Sequence, residues 1–372
     1  MSLDFIRKWL RRRTRFAVQQ WEPKNKIFKT NKFNYLDFTY KRYGNKNPNK
    51  YFFVIKRSPG AGFFSNLNFV IHNLYICDQL KMIPVIDMEN FQTYYNCRSK
   101  IKNTLNSWEY YFKKVSKYNL KEVYKSKNVI FCDHKTSAKG YDTQNYVSNF
   151  KYFNGFQYLD QRHKKIFKKY IKIDIKIQKD AKNLYSQFKN KKVLGICFRG
   201  SDSKKNAYQP HTPTKEQMMY ATKKLLRKYN FDKIYLCTED ENYLNFYKDN
   251  FSEFLIYNKK TPRTTDRIDL FDYPYKNHRY LVGRENIVDV LALSKADHLL
   301  FSVSNIPYSA LFLAPKKITH SVIDNGMRGG VIKALFSTKT KELLPHFLGG
   351  FKNHIITKNN IIKPANSDFV VL

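Results

Sequence analysis

The chain is short of acid. Its 372 residues hold 30 Asp and Glu against 68 Lys and Arg, a formal net charge of +38. Long apolar runs are missing too: no stretch approaches the ~18 residues that a membrane-spanning helix needs. The first residues, MSLDFIRKWLRRR, lack the apolar centre of a secretory signal, which predicts a cytoplasmic chain. Cysteine is sparse, with Cys77, Cys97, Cys132, Cys197 and Cys237 scattered and no C-x-x-C pair. Cys132, Cys197 and Cys237 fall in strand-like runs, so they read as reduced core thiols and not as disulfides or zinc ligands. Internal repeats, long low-complexity runs and an aromatic nucleic-acid-stacking motif are likewise lacking. What is present is apolar enough to fold. Hydrophobic residues at 42% and aromatics at 16% exclude a disordered basic tail, and the length predicts two domains with their own cores.

A basic surface raises the expectation of nucleic acid, anionic membrane or phosphorylated substrates. Here the charge has a second source. Lys supplies 52 of the basic residues and Arg 16, alongside heavy use of Asn, Ile, Phe and Tyr, whose codons share A/T-rich composition. A low-GC genome would generate much of the charge without selection for binding, which leaves the arginines as the informative cations. Five of them (Arg7, Arg11, Arg12, Arg13, Arg15) lie in the first fifteen positions. Residues 3–21 read as a short basic helix with Leu3, Ile6, Trp9, Leu10 and Trp21, suited to lying on an anionic membrane surface. A solvated leading helix packed on the body is the plainer alternative.

A Lys/Asn-rich connector (Lys24–Lys50) precedes a strand at Tyr51–Lys56, the small-residue loop Ser58–Asn66, a helix to about Leu80 and a strand at Met82–Asp87. This is a parallel β–α–β pattern. A helix is expected around Tyr110, Tyr111 and Phe112, a strand at Asn128–Cys132, and Lys-rich helix over 160–190. The second half alternates cleanly: strands at Lys192–Phe198, Lys233–Cys237, Phe254–Tyr257, His298–Ser302 and Ile318–Ile323. Between them come helices at about Lys215–Tyr229, Asp240–Asn250, Asn286–Lys295 and Asn305–Leu313. Such alternation predicts an α/β fold, with doubly wound parallel sheets in two Rossmann-like domains facing a cleft. The expected divisions are a basic arm (1–25), a first domain (26–185), a second domain (186–330) and an extension packing back on the first (331–372).

Four segments carry chemistry. In VLGICFRGSD (Val193–Asp202) an apolar strand delivers Arg199 to its carboxyl end, where α/β sheets bind ligands and where a planar fork can grip two phosphate oxygens. Asp202 is placed to orient that guanidinium; an ordinary surface ion pair is the alternative. In Asn286–Ala314, Asp289 is a single carboxylate on an otherwise apolar helix. Ser304 and Asn305 open the helix after the next strand, as an anion site or a plain N-cap. In LCTEDE (Leu236–Glu241), Glu239, Asp240 and Glu241 stand in a helix's first turn, favoured there by the dipole or aimed at a cleft. Gly60 and Gly62 permit a tight turn and close ligand approach, but Ser65 stands where a dinucleotide fingerprint wants a third glycine.

In order and spacing these segments resemble the α1,6-fucosyltransferases and protein O-fucosyltransferases. FRGSD is similar to their H-x-R-R-T/G-D segment, IYLCTEDENYL to their "YLATDD" strand and turn, and DVLALSKADHLLFSVSN to their D-x-x-x-L-S-x-A-D stretch ending in S-S-Q. GAGFFSNLNFVIHNL resembles their early glycine turn and helix. The resemblance covers about two fifths of the chain, residues 52–82 and 192–314. It implies a GT-B glycosyltransferase that inverts the sugar carbon without a metal. Arg199 would contact the donor's β-phosphate, Ser304 and Asn305 would line the diphosphate, Asp289 would read guanine, and Asp202 would back the arginine. Two positions depart from the family: Cys197 replaces its histidine and Gly200 its second arginine. A general base is not defined, leaving Glu239, Asp240 and His211 as candidates. The expected activity is transfer of fucose from GDP-fucose to a bacterial surface glycan, by a protein at the cytoplasmic membrane face. A sugar-nucleotide-binding protein without catalysis and a basic nucleic-acid-binding protein are the alternatives.

Overall fold

The computed structural model describes residues 27–28, 38–58, 60–132, 159, 161–200, 210–265, 276–323 and 325, with scattered positions between 340 and 350. The basic arm, Asp202 and nearly all of the 331–372 extension lie outside the described residues. The rest falls into two compact units, one ending at Asp174 and the other beginning at Ile175. Among the described residues no helix is long and apolar enough to cross a membrane.

The first unit contains β1 (Ile27–Phe28), β2 (Phe38–Lys41), β3 (Lys46–Ile55), α1 (Phe63–Gln79), β4 (Ile83–Ile86), α2 (Leu120–Val123), β5 (Ser126–Phe131) and α3 (Gln161–Tyr170). The sheet order is β1-β2-β5-β3-β4. β3 pairs in parallel with β4 on one side and β5 on the other. Its Phe52–Ile55 half is buried throughout, as a central strand covered on both faces should be. β1 and β2 run antiparallel at the edge, where the sequence read only a connector. The helix expected at Tyr110–Phe112 is instead a single 3₁₀ turn, Ser107–Tyr110, capped by the Asn106 side chain. Phe112 leaves it to bridge Ile173. Asp78 at the end of α1 accepts the Tyr170 hydroxyl at 2.6 Å and the Lys169 ammonium, tying α3 to α1.

The second unit contains α4 (Ile175–Tyr185), β6 (Val193–Cys197), α5 (Lys215–Tyr229), β7 (Lys233–Cys237), α6 (Glu241–Phe251), β8 (Leu255–Tyr257), α7 (His278–Leu293), β9 (His298–Ser302), α8 (Asn305–Leu313) and β10 (Thr319–Ile323). All pairs in the sheet β10-β9-β6-β7-β8 are parallel. Numbered from β6, this is the doubly wound order 3-2-1-4-5, with its reversal of direction between β6 and β9. α4 belongs to this unit, since Arg284 of α7 pairs with its Asp180. A Cβ at Gly195 in β6 would lie 2.6 Å from a Leu299 methyl and 3.0 Å from Ala296, so glycine permits the close packing here. α5 starts with a full capping box between Thr214 and Gln217 and ends on left-handed Asn230. Leu194, Ile196 and Phe198 pack with Leu225, Leu236 and Tyr247 in the core beneath the strand ends.

Candidate functional site

In a doubly wound sheet, ligands bind outside the carboxyl ends of the strands, where the winding reverses. That place in the second unit lies beyond β6 and β9. Cys197 and Phe301 are register partners on those strands. The segments leaving them, Phe198–Gly200 and Val303–Asn305, therefore emerge at the same edge. Arg199 and Ser304 are brought to it as the sequence predicted.

Arg199 is held by an acid the sequence offered for another task. The Glu239 carboxylate, in the turn between β7 and α6, accepts the Gly200 amide at 3.0 Å and stands 3.8 Å from Arg199 Nε. Its neighbour Asp240 is fully buried and caps α6, accepting the Asn242 amide at 2.9 Å. It also accounts for Gly200. A Cβ there would lie 2.2 Å from Asp240 Oδ2, which excludes the second arginine of the resembled family. Cys197, where that family has histidine, is buried and hydrogen-bonded to its register partner Cys237, whose thiol is pushed up.

Ser304 stands at the N-cap of α8 yet makes no capping hydrogen bond. Its Oγ is buried without a partner, and the residue is 3% exposed. A buried hydroxyl with no bond of its own is a vacancy in the local hydrogen-bonding, of the kind a ligand oxygen fills. Asn305 opens the helix beside it, and Pro307 carries no amide hydrogen.

Asp289 has a different setting. It is buried in α7 and accepts the Tyr235 hydroxyl at 2.7 Å and the Thr261 hydroxyl at 2.9 Å. Burial pushes its carboxyl up to about 6 against these hydrogen bonds and Arg263, which favour the charged form. It is linked to Arg199 through the loop after β8. Thr264 exchanges backbone hydrogen bonds with the turn carrying Glu239, Thr264 N to Glu239 O at 2.9 Å and Glu241 N to Thr264 O at 3.0 Å. Arg263 braces the same loop by donating to the carbonyls of Asn258 and Thr261. Tyr235, Thr261 and Arg263 were not singled out in the sequence, although Arg263 is among its few arginines.

His211 is buried just ahead of α5. The neighbouring Thr212 carbonyl accepts from Asn325 Nδ2 at 3.4 Å, and Asn325 and Gln217 bond amide to amide. Gly60 and Gly62 belong to the first unit. Gly60 has φ +77°, and its turn is closed by Asn66, which accepts the Ala61 amide at 2.8 Å. Gly62 precedes α1 with open space around it. Among the described residues no group of three or more His, Cys, Asp or Glu side chains forms a metal site.

No protein-family model matches the chain, and no curated protein does. Among solved structures it is similar to a fucosyltransferase NodZ from Bradyrhizobium, at 15% identity and TM-score 0.45, over 76% of this chain and 96% of that one. It is similar to NodZ alpha-1,6-fucosyltransferase soaked with GDP-fucose at 14% and 0.43, over 76% and 97%. POFUT1 in complex with GDP-fucose gives 11% and 0.40, over 74% and 98%. These are distant likenesses.

Proposed function

We propose that the chain is a GT-B glycosyltransferase that binds a nucleotide-sugar diphosphate across the ends of β6 and β9. The observation that carries this reading is the pairing of Arg199, backed by Glu239, with the unbonded, buried Ser304 hydroxyl at the same sheet edge. Loss of the nucleoside diphosphate leaves negative charge on the leaving oxygens. Arg199 neutralises it through its fork, while the Ser304 hydroxyl and the start of α8 supply aligned donors. Glu239 acts as the positioning residue for Arg199, and Asp240 holds the turn. Asp289, through Tyr235 and Thr261, shapes the loop on the base side of the site.

The donor assignment is GDP-fucose, with inversion at the sugar carbon. It comes from the resemblance of the FRGSD and DVLALSKADHLLFSVSN segments. The acceptor is a glycan of the bacterial surface, reached by a protein resting on the cytoplasmic membrane face through its basic arm. A second reading, nucleotide-sugar binding without turnover, is favoured by one observation: Asp240 is buried and Glu239 is engaged with Arg199, so neither carboxylate is presented as a free base.

Calorimetry with GDP, UDP and CDP tests the reading. Binding of GDP in preference to the pyrimidine nucleotides is expected. Preference for UDP would remove the fucose assignment, and no binding of any of them would remove the transferase. GDP binding with no transfer to any glycan acceptor would select the second reading.

A further inference from the structure

The first unit has a winding reversal of its own. From β3 the chain crosses through α1 to β4 on one side and later returns to β5 on the other. The carboxyl ends of β3 and β5 are stitched by Cys132, whose Sγ accepts the Lys56 amide at 3.2 Å. At that mouth stands Arg57. It lies against the first turn of α1, donating Nη1 to the Ser65 carbonyl at 2.5 Å and Nη2 to the Ser65 hydroxyl at 3.2 Å, with its guanidinium 5.0 Å from the Phe69 ring centre. Both partners are neutral. Its Nε is buried with no hydrogen-bond partner, and among the described residues no carboxylate pairs with it. Burial pushes the guanidinium down to about 10.

Among the described residues the surroundings add positive potential and no paired acid. α1 is seventeen residues long, begins at Gly62 without a side-chain cap and has no acid in its first turn, so its dipole is positive on the side where Arg57 lies. A desolvated cation beside a positive helix end is unfavourable by itself. The arrangement becomes favourable once an anion occupies the mouth.

We propose that the first unit carries an anion subsite at Arg57, which takes a phosphate or carboxylate group of the acceptor. The word acceptor rests on the transferase reading, whereas the anion site stands on the first unit alone. Arg199 serves a separate diphosphate in the second unit. The acceptor is thereby a charged glycan, phosphorylated or acid-bearing, and a neutral oligosaccharide lacks the group that Arg57 would hold.

The test is a titration of the full chain with inorganic phosphate and, separately, acetate at constant ionic strength, followed on the arginine Nε–H resonances by NMR. A saturable shift of Arg57 Nε–H is expected, with an apparent Kd on the order of 1–10 mM, weakened at least fivefold in Arg57→Lys. Response to phosphate alone points to a phosphorylated acceptor, and response to acetate to an acid-bearing one. Should Arg57→Lys fail to fold, Ser65→Ala assigns the resonance by freeing Nη2. Shifts confined to Arg199, or none that saturate, would overturn the subsite. GDP titration followed on Arg199 reports on the transferase reading independently.

Discussion

Each sheet hands an arginine out of the carboxyl end of an interior strand, β3 in one and β6 in the other, and the two are held in opposite ways. Arg199 has the Glu239 carboxylate behind it, on a turn braced by Thr264. Among the described residues Arg57 meets the carbonyl and hydroxyl of Ser65 and the face of Phe69. An acid behind a guanidinium fixes its direction and reduces its net pull, which suits a ligand that must be placed accurately for chemistry. A neutral cradle leaves the full charge to whatever enters, which suits recognition, and the empty state bears the desolvation. The first arrangement orients; the second attracts.

The largest effect separating them is expected from Arg199→Ala. GDP binding and transfer should fall at least 100-fold, about 3 kcal/mol, in calorimetry and transfer assays. Retained activity would place the diphosphate elsewhere. Glu239→Gln should lower transfer by about tenfold, because the amide still accepts from Gly200 while the charge behind Arg199 is gone. Complete loss of turnover with GDP affinity intact would instead make Glu239 the base. Arg57→Met should change unfolding free energy in urea by no more than about 1 kcal/mol, as relief of an unpaired cation offsets its lost hydrogen bonds. A drop above about 3 kcal/mol would make Arg57 a structural pin.

The smallest effects are in pH dependence, and their signs oppose each other. Asp289 has a folded value raised to about 6 from 3.8, so its contribution is complete below 3.8 and is lost as pH rises through about 6. His298 bonds the Thr319 and Ser321 hydroxyls and is pushed down to about 3 from 6.5 by burial. Its contribution is complete above 6.5 and is lost as pH falls toward about 3. Urea midpoints measured from pH 4 to 7 should rise more steeply with pH in Asp289→Asn and flatten in His298→Asn. Unchanged profiles would show that neither group titrates differently on folding.

The second unit was legible because its strands are apolar runs and α5, α6 and α8 each follow a start residue, Thr214, Asp240 and Ser304. The limits of β7, α5, β9 and α8 agree with the sequence reading to the residue. α7 begins at His278 and not near Asn286, because Asn277 is left-handed and makes no side-chain cap for a reader to find. β1 and β2 escaped since a short strand next to the sheet's edge such as Phe38–Lys41 buries just one of its four side chains. At the site, Arg199 and Ser304 could be read because each follows directly on its strand. The partners of Asp289 could not. Tyr235 and Thr261 meet it only after β7 and β8 lie side by side beneath α7, and no spacing along the chain encodes that.

The contact between Gly200 and Asp240 bears on engineering. An arginine placed at position 200 needs space that the Asp240 side chain fills, and removing Asp240 first strips the cap from α6. Each single step is expected to destabilise the turn, so the two positions have to be changed together. A designer placing an arginine there should alter position 240 and re-cap α6 before touching the glycine.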